Sequence, residues 1–90
     1  MAKVLAKAAT AGFEEKMDIL VTVEPGTAGI EVELKSSVKR QYGDHMIALI
    51  KNVVKEEGFE NVKVTAVDKG AWDYTIIARV KGALQRGVQA

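Results

Sequence analysis

The sequence contains no cysteine. Disulfides, thiolate metal sites and a cysteine nucleophile are therefore excluded, and a chain without disulfides fits the cytoplasm. Histidine is nearly missing too: His45 is the one example, and Ser36 and Ser37 are the two serines. A catalytic histidine needs an orienting acid and a nucleophile, and Asp44 points about 100° away from His45 on a helix. Metal ligation is poorly served by one histidine and by carboxylates that lack clustered spacing. Gly26, Gly29 and Gly70 do not have the spacing of a phosphate loop or a dinucleotide fingerprint. No self-contained active site is expected, and the chain reads as non-catalytic.

An excess of one charge is also missing. Thirteen Lys and Arg face twelve Asp and Glu, for a net charge of +1, so no basic surface for nucleic acid is expected. The longest apolar runs are a few residues, too short for a membrane span. Lys7 interrupts the apolar region that a signal peptide would need. Residues 1–12 are expected to be a flexible N-terminal segment of the mature chain.

What remains is material for one core. Ninety residues at 48% hydrophobic and 28% charged are the size of one domain, spanning residues 1–90. The stretch Ser37–Glu57 has the helical period. Val38, Tyr42, Met46, Leu49, Ile50, Val53 and Val54 fall in a sector of roughly 160°. Ser37 suits the N-cap and Gly58 the left-handed stop. Gly43 inside the helix costs about 1 kcal/mol and predicts a kink or a close approach.

Alternation predicts strands at Asp18–Glu24, Ile30–Lys35, Val62–Val67 and Trp72–Lys81. Pro25-Gly26 reads as the loop of a hairpin joining the first two. Arg79 and Lys81 would share a sheet face with Glu31 and Glu33. Gly82–Ala90 is weakly helical and expected to fray. The order β-β-α-β-β predicts an α+β fold: a two-layer sandwich with a mostly antiparallel four-stranded sheet covered by one long helix. Trp72 and Tyr74 would either pack under the helix and over an edge, or form an exposed patch for a partner.

Four segments carry a family likeness: Ala11-Gly12, Ser36-Ser37-Val38-Lys39-Arg40-Gln41-Tyr42-Gly43, Asp68-Lys69-Gly70-Ala71 and Ile77-Ala78-Arg79-Val80. In order and spacing they resemble the acyl carrier (gamma) subunit of citrate lyase. The related carriers of citramalate lyase and malonate decarboxylase share the design. The family pattern has SSV, a basic residue and QFG at the helix start, and DDKGALD later; here SSVKRQYG and VDKGAWD stand in those places.

The resemblance implies a non-catalytic subunit that carries an acyl thioester on a phosphoribosyl-dephospho-CoA arm, linked by a phosphodiester to a serine. It implies lyase and acyltransferase subunits and a prosthetic-group transferase as partners. Tethering raises effective concentration by keeping the intermediate from diffusing away. The family serine lies in the pattern AGTLES, whereas this chain reads Ala11-Gly12-Phe13-Glu14-Glu15-Lys16. A gapless alignment puts Lys16 at the serine position, and a one-residue shift puts Glu15 there. Thr10 is the nearest hydroxyl, upstream of Gly12. Three readings stand: a replaced serine, a cofactor-free relative that keeps the fold as a scaffold or interaction domain, or attachment elsewhere.

Overall fold

The computed structural model describes residues 2–36 and 39–88, with the side chains of residues 39–41 left aside. Among these residues the chain forms β1 (Ala9–Ala11), β2 (Ile19–Pro25), β3 (Ile30–Ser36), α1 (Lys39–Glu56), β4 (Val62–Asp68) and α2 (Asp73–Val88). The four strands make one sheet in the order β1-β2-β4-β3. The β1–β2 and β2–β4 pairs are antiparallel and the β4–β3 pair is parallel. The expected α+β class and mostly antiparallel sheet are found.

Alternation in the strands points one set of side chains inward. Ile19, Val21 and Val23 of β2, Val62, Val64 and Ala66 of β4, Leu34 of β3 and Ala11 of β1 are all buried. They stand in register across the sheet, as in the row Ala11, Val21, Ala66, Leu34. From above, α1 packs on β3, and α2 packs on β1, β2 and α1. The α1 stripe of Met46, Ile50, Val53 and Val54 is buried as its period predicts. Phe59 N–H donates to Val54 O at 3.2 Å across Gly58, whose φ is +93°, which closes the helix in the expected way. The Ser37 cap and Val38 lie outside the described residues.

The element order differs from the expected one. Residues 73–88 are a second helix, not a fourth strand followed by a frayed end. Ile76, Val80, Ala83, Leu84 and Gly87 are its buried side, a spacing of four and three that continues through Gly82. Ile76 and Val80 fit both periods over so short a run, whereas Tyr74 and Ala78, which fit the strand period alone, fall on the exposed side of the helix. Burial against β1 and β2 outweighs the strand preference of the β-branched and aromatic residues. Two helices therefore cover the sheet, and Glu31 lies opposite Lys63 rather than Arg79.

Two further expectations are corrected. The Pro-Gly loop joins β2 and β3, but β4 lies between them, so they form no hairpin. The loop is instead held by the start of β4. Gly29 N–H donates to Asn61 Oδ1 at 2.9 Å, and Val62 N–H donates to Gly29 O at 3.1 Å. The helical crossover through α1 is what lets β4 run parallel to β3.

The N-terminal segment, expected to be flexible, is built into the fold. Leu5 is 3% exposed, Ala6 N–H donates to Gly87 O at 2.8 Å, and Ala9–Ala11 is the edge strand β1.

Candidate functional site

Ile19, Asp68 and Ser36 stand side by side across the sheet and mark one of its ends. The segment Phe13–Met17, the turn after β4, and the starts of both helices lie at this end.

Gly12 and Met17 bend the chain between β1 and β2. Both have positive φ, +88° and +66°. A Cβ on Gly12 would sit 1.9 Å from Ile19 O, so only glycine fits there. The loop's far end is tied down. Met17 N–H donates to Lys69 O at 2.8 Å, Lys69 N–H to Asp18 O at 2.9 Å, and Asp18 N–H to Glu15 O at 3.0 Å. Asp18 also receives a forked pair from Arg79 of α2, Nε to Oδ1 at 3.0 Å and Nη2 to Oδ2 at 2.8 Å. That hydrogen bond holds the Asp18 carboxyl below its ordinary value, against the opposing effect of burial, and raises Arg79 in return.

Between these anchors Phe13, Glu14, Glu15, Lys16 and Met17 are exposed. Glu15 and Lys16, the two positions singled out by alignment, thus sit on a surface loop where a large group could be attached or approached. The side chains there are two carboxylates, one amine, a phenyl ring and a thioether. None is a hydroxyl, so the chemistry of a phosphodiester is not met by this segment.

The turn after β4 is organised by Asp68, a carboxylate only 2% exposed. Ser36 Oγ donates to its Oδ2 at 2.8 Å and Ala71 N–H to its Oδ1 at 2.9 Å. Ser36 opens one of the likeness-bearing segments and Asp68 another. Their junction depends on the parallel β3–β4 register, in which these two residues are partners.

Beyond this turn lies an open groove of about 870 Å³ lined by Tyr42, His45, Met46, Trp72, Asp73 and Tyr74, with Asp68 at its base. Trp72 is 58% and Tyr74 71% exposed. Neither is buried under a helix, and both rings face the groove. Tyr42, expected on the buried stripe of α1, joins them in the groove at 58% exposure. His45 does have an orienting acid: Asp73 Oδ2 lies 2.8 Å from its Nε2. Sequence spacing could not show this, because Asp73 is 28 residues away. Nothing in the linear string marks the pair, since Asp73 reads there as part of a strand. Among the described residues no cluster of three or more His, Asp or Glu could hold a metal ion. No helix among them is long and apolar enough to cross a membrane.

The chain has clear relatives. Residues 6–87 match the family model described as Malonate decarboxylase delta subunit (MdcD). A citrate lyase acyl carrier protein of Halothermothrix orenii is 45% identical over 80 residues, covering 89% of this chain and 85% of the relative. One of Fusobacterium nucleatum is 43% identical over 88 residues, covering 97% and 94%. In three dimensions the chain resembles a chain of a Pseudomonas malonate decarboxylase hetero-tetramer crystallised with malonate. The TM-score is 0.79 at 17% identity, over 94% of this chain and 88% of the other. That likeness is one of fold. With nearly its whole length matched, this chain belongs to the acyl carrier family of the malonate decarboxylase delta subunit and the citrate lyase acyl carrier proteins.

Proposed function

We propose that this chain is the small acyl-carrier-type subunit of a citrate lyase-type multi-subunit complex, contributing no catalysis of its own. The observation that carries the proposal is the match to proteins named citrate lyase acyl carrier protein over nearly the full length of both chains. The partners are lyase and acyltransferase subunits, or those of a citramalate lyase, with a prosthetic-group transferase as a further partner of a form that can be charged. A cytoplasmic location belongs to the same proposal. Trp72 and Tyr74, with Tyr42 beside them, are the proposed contacts. Exposed aromatic side chains bury large area on docking and dominate interface energetics, and these three share one groove.

The carrier reading assigns a phosphoribosyl-dephospho-CoA arm to the loop at Lys16 or Glu15. The placement suits it, since the loop is exposed and its far end is bonded to Lys69 in the turn after β4. The donor chemistry does not, because a phosphodiester needs a hydroxyl. This one mismatch favours a second reading, a cofactor-free scaffold or interaction domain that keeps the carrier fold. Both readings require assembly, so assembly is the first test. Co-expressed with the large subunits of a citrate lyase, the tagged chain is expected to co-purify with them. A chain that elutes alone at every ratio removes both readings.

A further inference from the structure

We infer that this chain does not accept a hydroxyl-linked arm on its Phe13–Met17 loop, and that one side chain, Lys16, accounts for the loss while the loop keeps a form suited to an acceptor. The inference rests on the family assignment and on the proposed place in a complex, and it decides between the two readings of that place.

The loop is not a degraded segment. Gly12 retains a conformation that a Cβ would forbid, 1.9 Å from Ile19 O. Met17 takes a positive φ of +66°, which costs a side-chain-bearing residue free energy and persists only where the surroundings enforce it. Here the Met17–Lys69 backbone bond and the Asp18–Arg79 fork enforce it. The three residues between Phe13 and Met17 are exposed, and that is the access a transferase needs. Only the acceptor atom is missing. Lys16 offers an amine, which would give a phosphorus–nitrogen bond, and Glu15 offers a carboxylate, which would give a mixed anhydride. Neither is a phosphodiester.

No other described hydroxyl takes over the place. Ser36 donates to buried Asp68. Thr10 lies in β1 opposite Thr22, on the far side of Gly12 from the loop. Thr22 and Thr65 are half-buried, mid-strand and opposite each other. Thr27 is exposed, but in the β2–β3 loop at the other end of the sheet. Thr75 is half-buried in the first turn of α2. The phenols of Tyr42 and Tyr74 belong to the groove.

The test is intact mass after co-expression with an active prosthetic-group transferase, with a carrier bearing the AGTLES pattern charged in the same cells as control. The expected result is an unchanged mass for the chain as it stands and a gain of one arm for Lys16→Ser. Because Lys16 is exposed, the variant is expected to melt with the parent, which a thermal scan checks. A gain of the arm's mass by the unaltered chain overturns the inference and supports the carrier reading. An uncharged Lys16→Ser beside a charged control overturns the claim that Lys16 alone accounts for the loss. Charging of Glu15→Ser in place of Lys16→Ser does the same and assigns the other register. Co-purification with the large subunits is read separately, so failure of the complex and failure of this inference give different results.

Discussion

Gly12 and Met17 show how much one backbone angle decides in this protein. Gly12→Ala combines a positive φ with a Cβ placed on a backbone carbonyl. It is expected to cost about 3 kcal/mol or more, since the angle alone costs of order 1–3 kcal/mol and the strand beneath must also shift. Denaturant unfolding measures it, and a loss below about 1 kcal/mol would mean the loop relaxes freely. Met17→Gly runs the other way. Removing the left-handed penalty gains about 1–2 kcal/mol and the looser unfolded chain returns part of it. A net gain of about 0.5 kcal/mol is expected by the same measurement.

The Asp18–Arg79 fork predicts a pH signature. The folded Asp18 carboxyl lies below its ordinary 3.8 because Arg79 hydrogen-bonds its charged form. The stability this supplies is complete above that ordinary value and is lost as pH falls through it towards the lowered folded value. Arg79→Gln should therefore be less stable than the parent at pH 7, with the gap narrowing at pH 3. An equal gap at both pH values would refute this origin. The pairing was not legible in the sequence, where Arg79 reads as a strand residue facing Glu31 and Glu33. Asp18 is 61 residues away, and only the packing of α2 on β2 brings them together.

The segments differ in how plainly their neighbours identify them. α1 is long enough for its stripe to be read without a partner, and the structure carries it over Lys39–Glu56, ending one residue earlier than expected. α2 is ambiguous because Ile76 and Val80 satisfy both periods, and the deciding positions Ala83, Leu84 and Gly87 lie past a glycine that looks like a stop. The N-terminal segment is the harder case. Besides its backbone bonds and β1, it is anchored by Leu5, which approaches Gly87 so closely that a Cβ there would lie 2.6 Å from Leu5 Cδ2. Leu5→Ala is expected to lose about 2 kcal/mol, the low end of the range for buried leucines at an edge, against about 3 kcal/mol for Ile50→Ala in the centre. Equal stability of Leu5→Ala and the parent in urea would restore the view of this segment as a loose tail.

For the molecule as one body, the sheet gathers its unusual features at a single end. The exposed loop, the Ser36–Asp68 junction and the aromatic groove all lie there, while hydrophobic burial is shared by both helices above the sheet. This separation predicts that the groove can be altered without cost to the core. Trp72→Ala with Tyr74→Ala should move the melting temperature by less than about 3 °C, as fits a surface change within about 0.5 kcal/mol in a domain of this size. The same double variant should weaken capture of the lyase subunits by about tenfold or more, in proportion to lost aromatic contacts. A large drop in melting temperature would instead make the two rings part of the core.

Local pattern was enough for the class, three of the four strands, the long helix and the absence of cysteine chemistry. These rest on composition, on period and on motif order, all of which a linear string carries. The strand order, the second helix, the ordered start of the chain and the Asp73 partner of His45 were decided only on folding. Each depends on which surfaces bury one another, and that energy belongs to pairs of segments far apart in the chain. The candidate site shares this division: Lys16 and Glu15 were marked by alignment, but it took the folded chain to tie their loop to the turn after Asp68, whose residues also line the groove of Trp72 and Tyr74.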